Sequence, residues 1–277
     1  MEKNGCRSYG KNTIIINTVY ASEVRKNEIV IPSNASVLDV KLFEDEEVYL
    51  IILFNSGVLD EKIYIYEYKT ENNSWSIQQM FHSNTPLAYD LISEEGGRFP
   101  FRLAVASKPP NSSISVYAWV EKKFELFVYH TKPAISAVLW VQTEKELCLL
   151  LARANTTLLK DNGQVQTSLE VLEVLALADD LILDHTVSIH NVNTLKRFYL
   201  AGEVFVLACS RQLQVIYMLQ LRGQNGFQIV QEVPAPGVTG AVVFTTEDDD
   251  VMLAVSSDTG HTRILKAMIK GERFLED

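Results

Sequence analysis

The chain has 277 residues, 47% of them hydrophobic, enough to bury a substantial core; a single repeated all-β domain is the simplest organisation for that length. With 25 Lys and Arg against 35 Asp and Glu, the formal net charge is −10 and no basic run occurs. That balance argues against a nucleic-acid partner, because phosphate binding is mainly neutralisation by Lys and Arg, and it favours a protein partner with a basic surface.

No apolar segment approaches the ~20 residues that span a bilayer, so no membrane insertion is expected. The start, Met1-Glu2-Lys3-Asn4-Gly5, has no apolar leader, and a soluble cytoplasmic protein is the expectation. Cys148 and Cys209 sit in apolar strand-like runs and read as small buried hydrophobes, while Cys6 falls in a tail. Four N-x-S/T triplets, at Asn34, Asn72, Asn111 and Asn155, lie in turn-like places and carry the alternative, a secreted fragment of a longer precursor.

In chain order, residues 1–12 are polar and read as a flexible tail, with residues 13–277 as one domain. Residues 13–19, 28–31 and 36–43 are the first strand candidates. Glu44 to Glu47 form a charged turn, 48–54 a very apolar run, and Asn55-Ser56-Gly57 turns the chain into 62–68, where Ile63 and Ile65 alternate with Tyr64 and Tyr66. Comparable apolar runs recur as YLIILF, RLAVAS, LCLLLARA, FVLACS and MLAVSS; aligning Ile52, Leu103, Leu151, Leu207 and Leu253 gives intervals of 51, 48, 56 and 46 residues. A period in that range with all-β units predicts a β-propeller of four-stranded blades.

The run after each of these recurs too, as KIYIYEY, SISVYAW, LQVIYML and TRILKAM, and an aromatic follows it at Trp75, Phe124, Phe227 and Phe274. Residues 227–270 supply the template unit, with strands at 227–232, 241–244, 251–255 and 263–268, and Pro234 and Pro236 stopping the first because proline cannot donate to a ladder. Residues 165–195 read as a compressed blade, with an amphipathic helix as the alternative. Counting it, the chain carries about six blades, within a range of five to seven. The final RFLED reads as the first strand of a blade that N-terminal strands complete, closing the ring and removing exposed edges.

Three resemblances follow from these motifs. Residues 238–267, with Asp258 and Gly260 in a turn, resemble a degenerate WD repeat in which Leu265 replaces Trp and no Gly-His pair precedes the blade. Residues 205–237, preceded by LADDLILDHTVSIHNVNTL, are similar to citron homology domains, whose members bind small GTPases or tether membranes. Phe227, Gln231 and Pro234 also resemble the F-x-x-x-Q-x-x-P run of the epilepsy-associated repeats of secreted proteins. All three imply a propeller and none implies catalysis.

The chemical constellations point the same way. Ser256 to Arg263 resembles the Asp-box of sialidase-like propellers with Arg263 in the place of Trp, but the arginine cluster such an enzyme needs to hold its substrate is missing. Of the five histidines, His82, His130, His185, His190 and His261, only His185 and His190 are close, and five apart on a strand they face opposite ways, so no metal is expected. Asp184, His185 and Ser188 are too close on one strand to converge as a triad. No phosphate-cradling glycine motif occurs, Gly96-Gly97 being only a turn, and no cofactor, small-molecule substrate or catalysis is expected. The acidic clusters carry the functional expectation. Glu44, Asp45, Glu46 and Glu47; Glu94 and Glu95; Glu144 and Glu146; and Glu247, Asp248, Asp249 and Asp250 all fall between the second and third strands of their units. Gathered on one propeller face, they are expected to dock a basic partner.

Overall fold

The computed structural model describes residues 3–8, 13–20, 23–30, 35–56, 62–82, 86–94, 97–107, 112–132, 134–143, 146–153, 157–159, 165–167, 172–189, 191–200, 202–246, 248, 250–260, 262–268 and 273–275. A three-stranded sheet comes first, from β1 (Lys3–Ser8), β2 (Thr13–Tyr20) and β3 (Glu23–Val30). Five four-stranded sheets follow. The first is β4 (Ala35–Glu44), β5 (Val48–Ser56), β6 (Lys62–Lys69) and β7 (Ser74–His82), and the second β8 (Pro86–Ser93), β9 (Phe101–Ser107), β10 (Ser113–Val120) and β11 (Lys123–Thr131). The third joins β12 (Ile135–Gln142) and β13 (Leu147–Arg153) to β16 (Leu172–Leu177) and β17 (Leu181–Val187), with a separate hairpin, β14 (Thr157–Leu159) and β15 (Val165–Thr167), set between β13 and β16. The fourth is β18 (Thr194–Leu200), β19 (Glu203–Ser210), β20 (Val215–Leu221) and β21 (Phe227–Pro234), and the fifth β22 (Val238–Thr245), β23 (Val251–Ser257), β24 (Thr262–Met268) and β25 (Arg273–Leu275). These are five blades of an all-β propeller, within the expected range of five to seven.

The second strand of each blade is the run that recurs in the sequence, and the reason is burial. β9 is buried at every residue and β13 at all but its last, because sheets cover both faces, so these strands read as continuous apolar runs instead of alternating. Fourth strands are covered less: in β21 only Phe227 and Val233 are buried, while Gln228, Ile229 and Glu232 are exposed. Irregularities repeat with the blades as well. The first strand slips register at Val37/Asp39, Ile135/Ala137 and Val238/Gly240, and the third-to-fourth pairing slips at Ile65/Tyr66, Val174/Leu175 and Met218/Leu219. Bulges at equivalent places re-aim the same strands in different blades, which is a structural repeat where the residues themselves differ.

Four expectations change. The template unit is out of phase by one strand: Phe227–Pro234 pairs with β20 as the last strand of its own blade, and the next blade starts at Val238. The Pro234–Gly237 stretch is therefore the link between blades. It is held by Ala235 N–H to Gln214 O at 2.7 Å and Asp258 N–H to Gly237 O at 2.9 Å. Gly237 is needed there, since its φ is +66° and a Cβ would meet Asp258 Oδ1 at 2.2 Å. The compressed blade over residues 165–195 does not exist as a unit, because β16 and β17 complete the blade that β12 and β13 begin and β18 opens the next. The terminal RFLED does not start a blade either; Arg273–Leu275 pairs with β24 and completes the fifth. Finally, the expected tail at residues 1–12 carries β1, paired with β2 from Lys3↔Val19 to Ser8↔Ile14.

Two compact units account for the contacts: residues 1–86 with 119–125, and residues 87–118 with 126–277. In the first, Ile29 of β3 packs with Leu50, Ile52, Phe54 and Tyr66. Beside them Phe43, Tyr49, Trp119 and Phe124 form an aromatic cluster, with Trp119 4.9 Å from Tyr49 and 4.8 Å from Phe124 between ring centres.

In the second unit, sheet covers sheet in sequence. Ile92, Ala104 and Val116 pack on Trp140, Leu149 and Leu151; Leu139, Leu150 and Val174 on Val206, Tyr217 and Phe227; Phe205, Leu207 and Met218 on Ala241, Leu253 and Leu265. A buried ion pair ties three of these blades. Asp90 on β8, 3% exposed, accepts 2.8 Å hydrogen bonds from the Trp140 backbone N–H on β12 and from Arg197 Nη1 on β18. Arg197 also donates to Trp140 O at 2.9 Å and to Leu91 O at 3.2 Å. With its donors shared among carboxylate and carbonyls, the pair meets the condition under which a buried charge is tolerated.

Candidate functional site

The one-strand change of phase reassigns all of the acidic turns alike. They connect first to second strands: Glu44 to Glu47 between β4 and β5, Glu94 between β8 and β9, Glu146 between β12 and β13, Asp248 and Asp250 between β22 and β23. The equivalent turn of the remaining blade, between β18 and β19, carries Glu203. Sequence reasoning passed over it because a single carboxylate beside Gly202 does not stand out as a cluster. Glu95, Glu144, Glu247 and Asp249 lie outside the described residues.

Many of these carboxylates have structural partners. Asp45 accepts from Trp119 Nε1 at 2.8 Å, Glu46 pairs with Lys122 at 2.9 Å, Glu94 with Arg102 at 3.0 Å and Asp250 with Lys266 at 2.5 Å. The Lys122 hydrogen bond holds the Glu46 carboxyl below its usual range, and Glu46 in turn raises the Lys122 ammonium. Arg102, nearly fully buried, lies 4.4 Å from the Phe99 ring centre and 4.5 Å from that of Phe127, so Glu94 helps neutralise a buried cation. Two turns share one lock: Thr143 Oγ1 accepts from Glu146 N–H at 3.0 Å, and Thr246 Oγ1 accepts from Asp250 N–H at 3.2 Å. Glu44, Glu47, Glu146, Glu203 and Asp248 form no side-chain ion pair, so among the described residues the unpaired charge of these turns rests on these five.

Beside Glu146 and Glu203 a cleft of about 510 Å³ opens within the second unit, where the β12–β13, β18–β19 and β20–β21 turns meet. Its floor is apolar, with Val174, Val204, Leu221 and Phe227, and its polar wall carries Asp184 and His185. His185 fastens two blades. Its Nε2 accepts the Phe227 backbone N–H at 2.9 Å, which places the ring proton on Nδ1, and Nδ1 donates to Asp184 at 2.6 Å. The ring lies 6.3 Å from that of Phe227, nearly parallel to it. Gly226 makes room: its φ is +67° and a Cβ would stand 2.4 Å from the imidazole. With both nitrogens used, His185 is not placed to act as a base, and Asp184 and His185 meet as neighbours, not as part of a triad.

The remaining candidates are structural. His130 Nε2 meets Asp180 Oδ1 at 2.6 Å, and His190 and His261 lie outside the described residues. The Asp-box-like turn is tied to backbone, with Ser257 Oγ donating to Pro236 O at 2.8 Å and Arg263 Nη1 to Pro234 O at 2.7 Å, while Asp258 pairs with Arg211 at 2.5 Å. Asn72 is exposed in the β6–β7 turn, and Asn34, Asn111 and Asn155 lie outside the described residues.

Cys148, on the cleft wall, and Cys209 are buried free thiols, and burial pushes both up to about 12. A thiol that stays neutral at physiological pH is a poor nucleophile. In a Cys6→Ser chain at about pH 8.5, iodoacetamide is expected to label neither cysteine while folded and both in concentrated guanidinium. Rapid labelling of Cys148 in the folded chain would show an open, reactive thiol instead. Burial also pushes the Tyr66 phenol up to about 12. All three shifts have one sign. Each group ionises in the unfolded chain before it does in the folded one, so their contribution is full at neutral pH and is lost as pH rises from about 9 towards 12. Each group lowers the unfolding free energy by at most about 1.4 kcal/mol per pH unit across that window. Urea midpoints at neutral and alkaline pH check this; an unchanged midpoint would count against the burial.

The fold and these turns define a five-bladed β-propeller. No protein-family model matches the chain, and no curated protein matches its sequence. It is similar in structure to a functionally unknown protein from Desulfotomaculum acetoxidans, with a TM-score of 0.67 and 10% identity over 96% of this chain and 76% of that one. A protein of unknown function from Bacteroides caccae gives 0.54 and 14% over 99% and 92%, and the periplasmic gluconolactonase PpgL of Pseudomonas aeruginosa 0.51 and 10% over 98% and 93%. At these identities the likeness shows the fold alone.

Proposed function

We propose that this chain is a non-catalytic docking propeller, a subunit or domain of a larger intracellular assembly, and that it holds a protein partner with a basic surface. One observation carries this reading: in all five blades the turn between first and second strands bears carboxylates, and five of these acids have no ion pair among the described residues. Unpaired surface charge of one sign steers an oppositely charged partner and speeds its encounter. The fully used His185 and the buried thiols are consistent with a role without catalysis. The resemblance to citron homology and WD propellers adds that the partner is of the small-GTPase or trafficking type. The exposed Asn72 favours the alternative, a secreted receptor-binding propeller.

The test is affinity capture from cytosolic extract at low and high salt, with wild type beside a variant in which Glu44, Glu47 and Asp248 are changed to Gln, Gln and Asn. The expected result is a basic protein retained at low salt, released at high salt, and recovered at least tenfold less by the variant, with folding unchanged. Retention that ignores both salt and the substitutions would sink the electrostatic reading.

A further inference from the structure

We infer that the cleft beside Glu146 and Glu203 receives a single arginine or lysine side chain from an extended segment of the partner. This rests on the docking reading and assigns it a pocket. At about 510 Å³ the cleft lies within the range of small-ligand sites, far larger than a gap between side chains. Among the described residues its lining holds no Lys or Arg. The acids come from three separate elements: Glu146 from the β12–β13 turn, Asp184 from β17 and Glu203 from the start of β19. Below this rim the surface turns apolar at Val204, Leu221 and Phe227.

Few ligands want both halves of such a surface. A metal ion would leave the apolar floor uncovered, and no group of three His, Cys, Asp or Glu suited to one occurs among the described residues. An aliphatic or aromatic ligand would leave the carboxylates without a partner. A long basic side chain matches both, with its methylene stem on the floor and its charged head at the rim. Asp184 is already engaged by His185, which leaves Glu146 and Glu203 to meet the head.

Gly202 and Gly223 line the cleft with φ of +83° and +52° and nothing within 4 Å of a Cβ built at either, so at these two positions bare backbone borders the opening.

The experiment is fluorescence polarisation with a labelled Gly-Arg repeat peptide, its Gly-Lys counterpart, and a Gly-citrulline peptide that keeps the shape and drops the charge. Wild type is expected to bind the first two, less at higher salt, and not the third. In the E146Q/E203Q variant, both sites being exposed, affinity is expected to fall at least tenfold with no change in melting. Equal affinity of this variant, or no binding by wild type, overturns the inference. The E44Q/E47Q/D248N chain separates the two readings: if it loses the peptide while E146Q/E203Q keeps it, docking through the acidic turns stands and the cleft assignment falls.

Discussion

Replacing Asp90 by alanine is expected to lower the unfolding free energy by about 3–5 kcal/mol, the loss that follows when one partner of a buried charge pair is removed. Two groups would be stranded. The Trp140 backbone N–H would lose its acceptor in a fully covered layer, and Arg197, about three-quarters buried, would keep only carbonyl partners. Asn at position 90 can still accept from Trp140 N–H and is expected to cost about half as much, since it forfeits the charge but leaves no backbone donor bare. A double-mutant cycle with Arg197→Met tests the coupling. The pair D90A/R197M is expected to be clearly less damaging than the sum of its parts, because no unpaired charge remains. Strict additivity in urea titrations would mean that the two residues stabilise their blades independently.

Phe227→Ala is expected to cost about 3–5 kcal/mol, in the range of large-to-small changes in a packed core. The ring is 3% exposed, packs with Leu150, Val174 and Tyr217, and stacks on His185, so its loss leaves a cavity at the base of the cleft. Phe244 supplies the control. It sits on β22 at 41% exposure, on the face turned away from the fourth blade, and its truncation is expected to change stability by less than about 1 kcal/mol. Two equal losses would mean that the covered and bare faces of the last two blades have been exchanged.

The contrast between these phenylalanines also shows what the sequence could and could not say. YLIILF, RLAVAS, LCLLLARA and FVLACS announced a propeller because a strand covered on both faces is apolar nearly throughout, and MLAVSS, in the less covered β23, keeps the pattern with Leu253 and Val255 buried. Where a blade begins was not written as plainly. β22, a first strand, and β21, a fourth, are both partly exposed, so Phe227 at the head of an alternating run looks the same whether that run opens a blade or closes one. Pro234 and Pro236 mark a break but not its rank. The interval of 56 residues between Leu103's successor Leu151 and Leu207 reflects the β14–β15 hairpin, which swelled one blade and invited a sixth.

The candidate site divides along similar lines. Glu44 to Glu47 were legible as a run, whereas Glu203 gains its meaning only from its position in the repeat. Asp90 and Arg197 are 107 positions apart, and nothing local joins them. His185 gave no signal of its own either. The clue lay elsewhere, in Gly223 and Gly226, two glycines in a short polar link, a composition suited to a chain that must pass close to something.

The β14–β15 hairpin has one more consequence. β13 and β16 pair without interruption from Cys148↔Ala176 to Ala152↔Leu172, so the excursion between Arg153 and Leu172 is no part of the ladder it interrupts. Shortening such a loop changes the closure entropy by only about 0.6 kcal/mol for each halving. The blade thus has a built-in port, where chain can be trimmed or a foreign peptide grafted while the flanking strands stay in register.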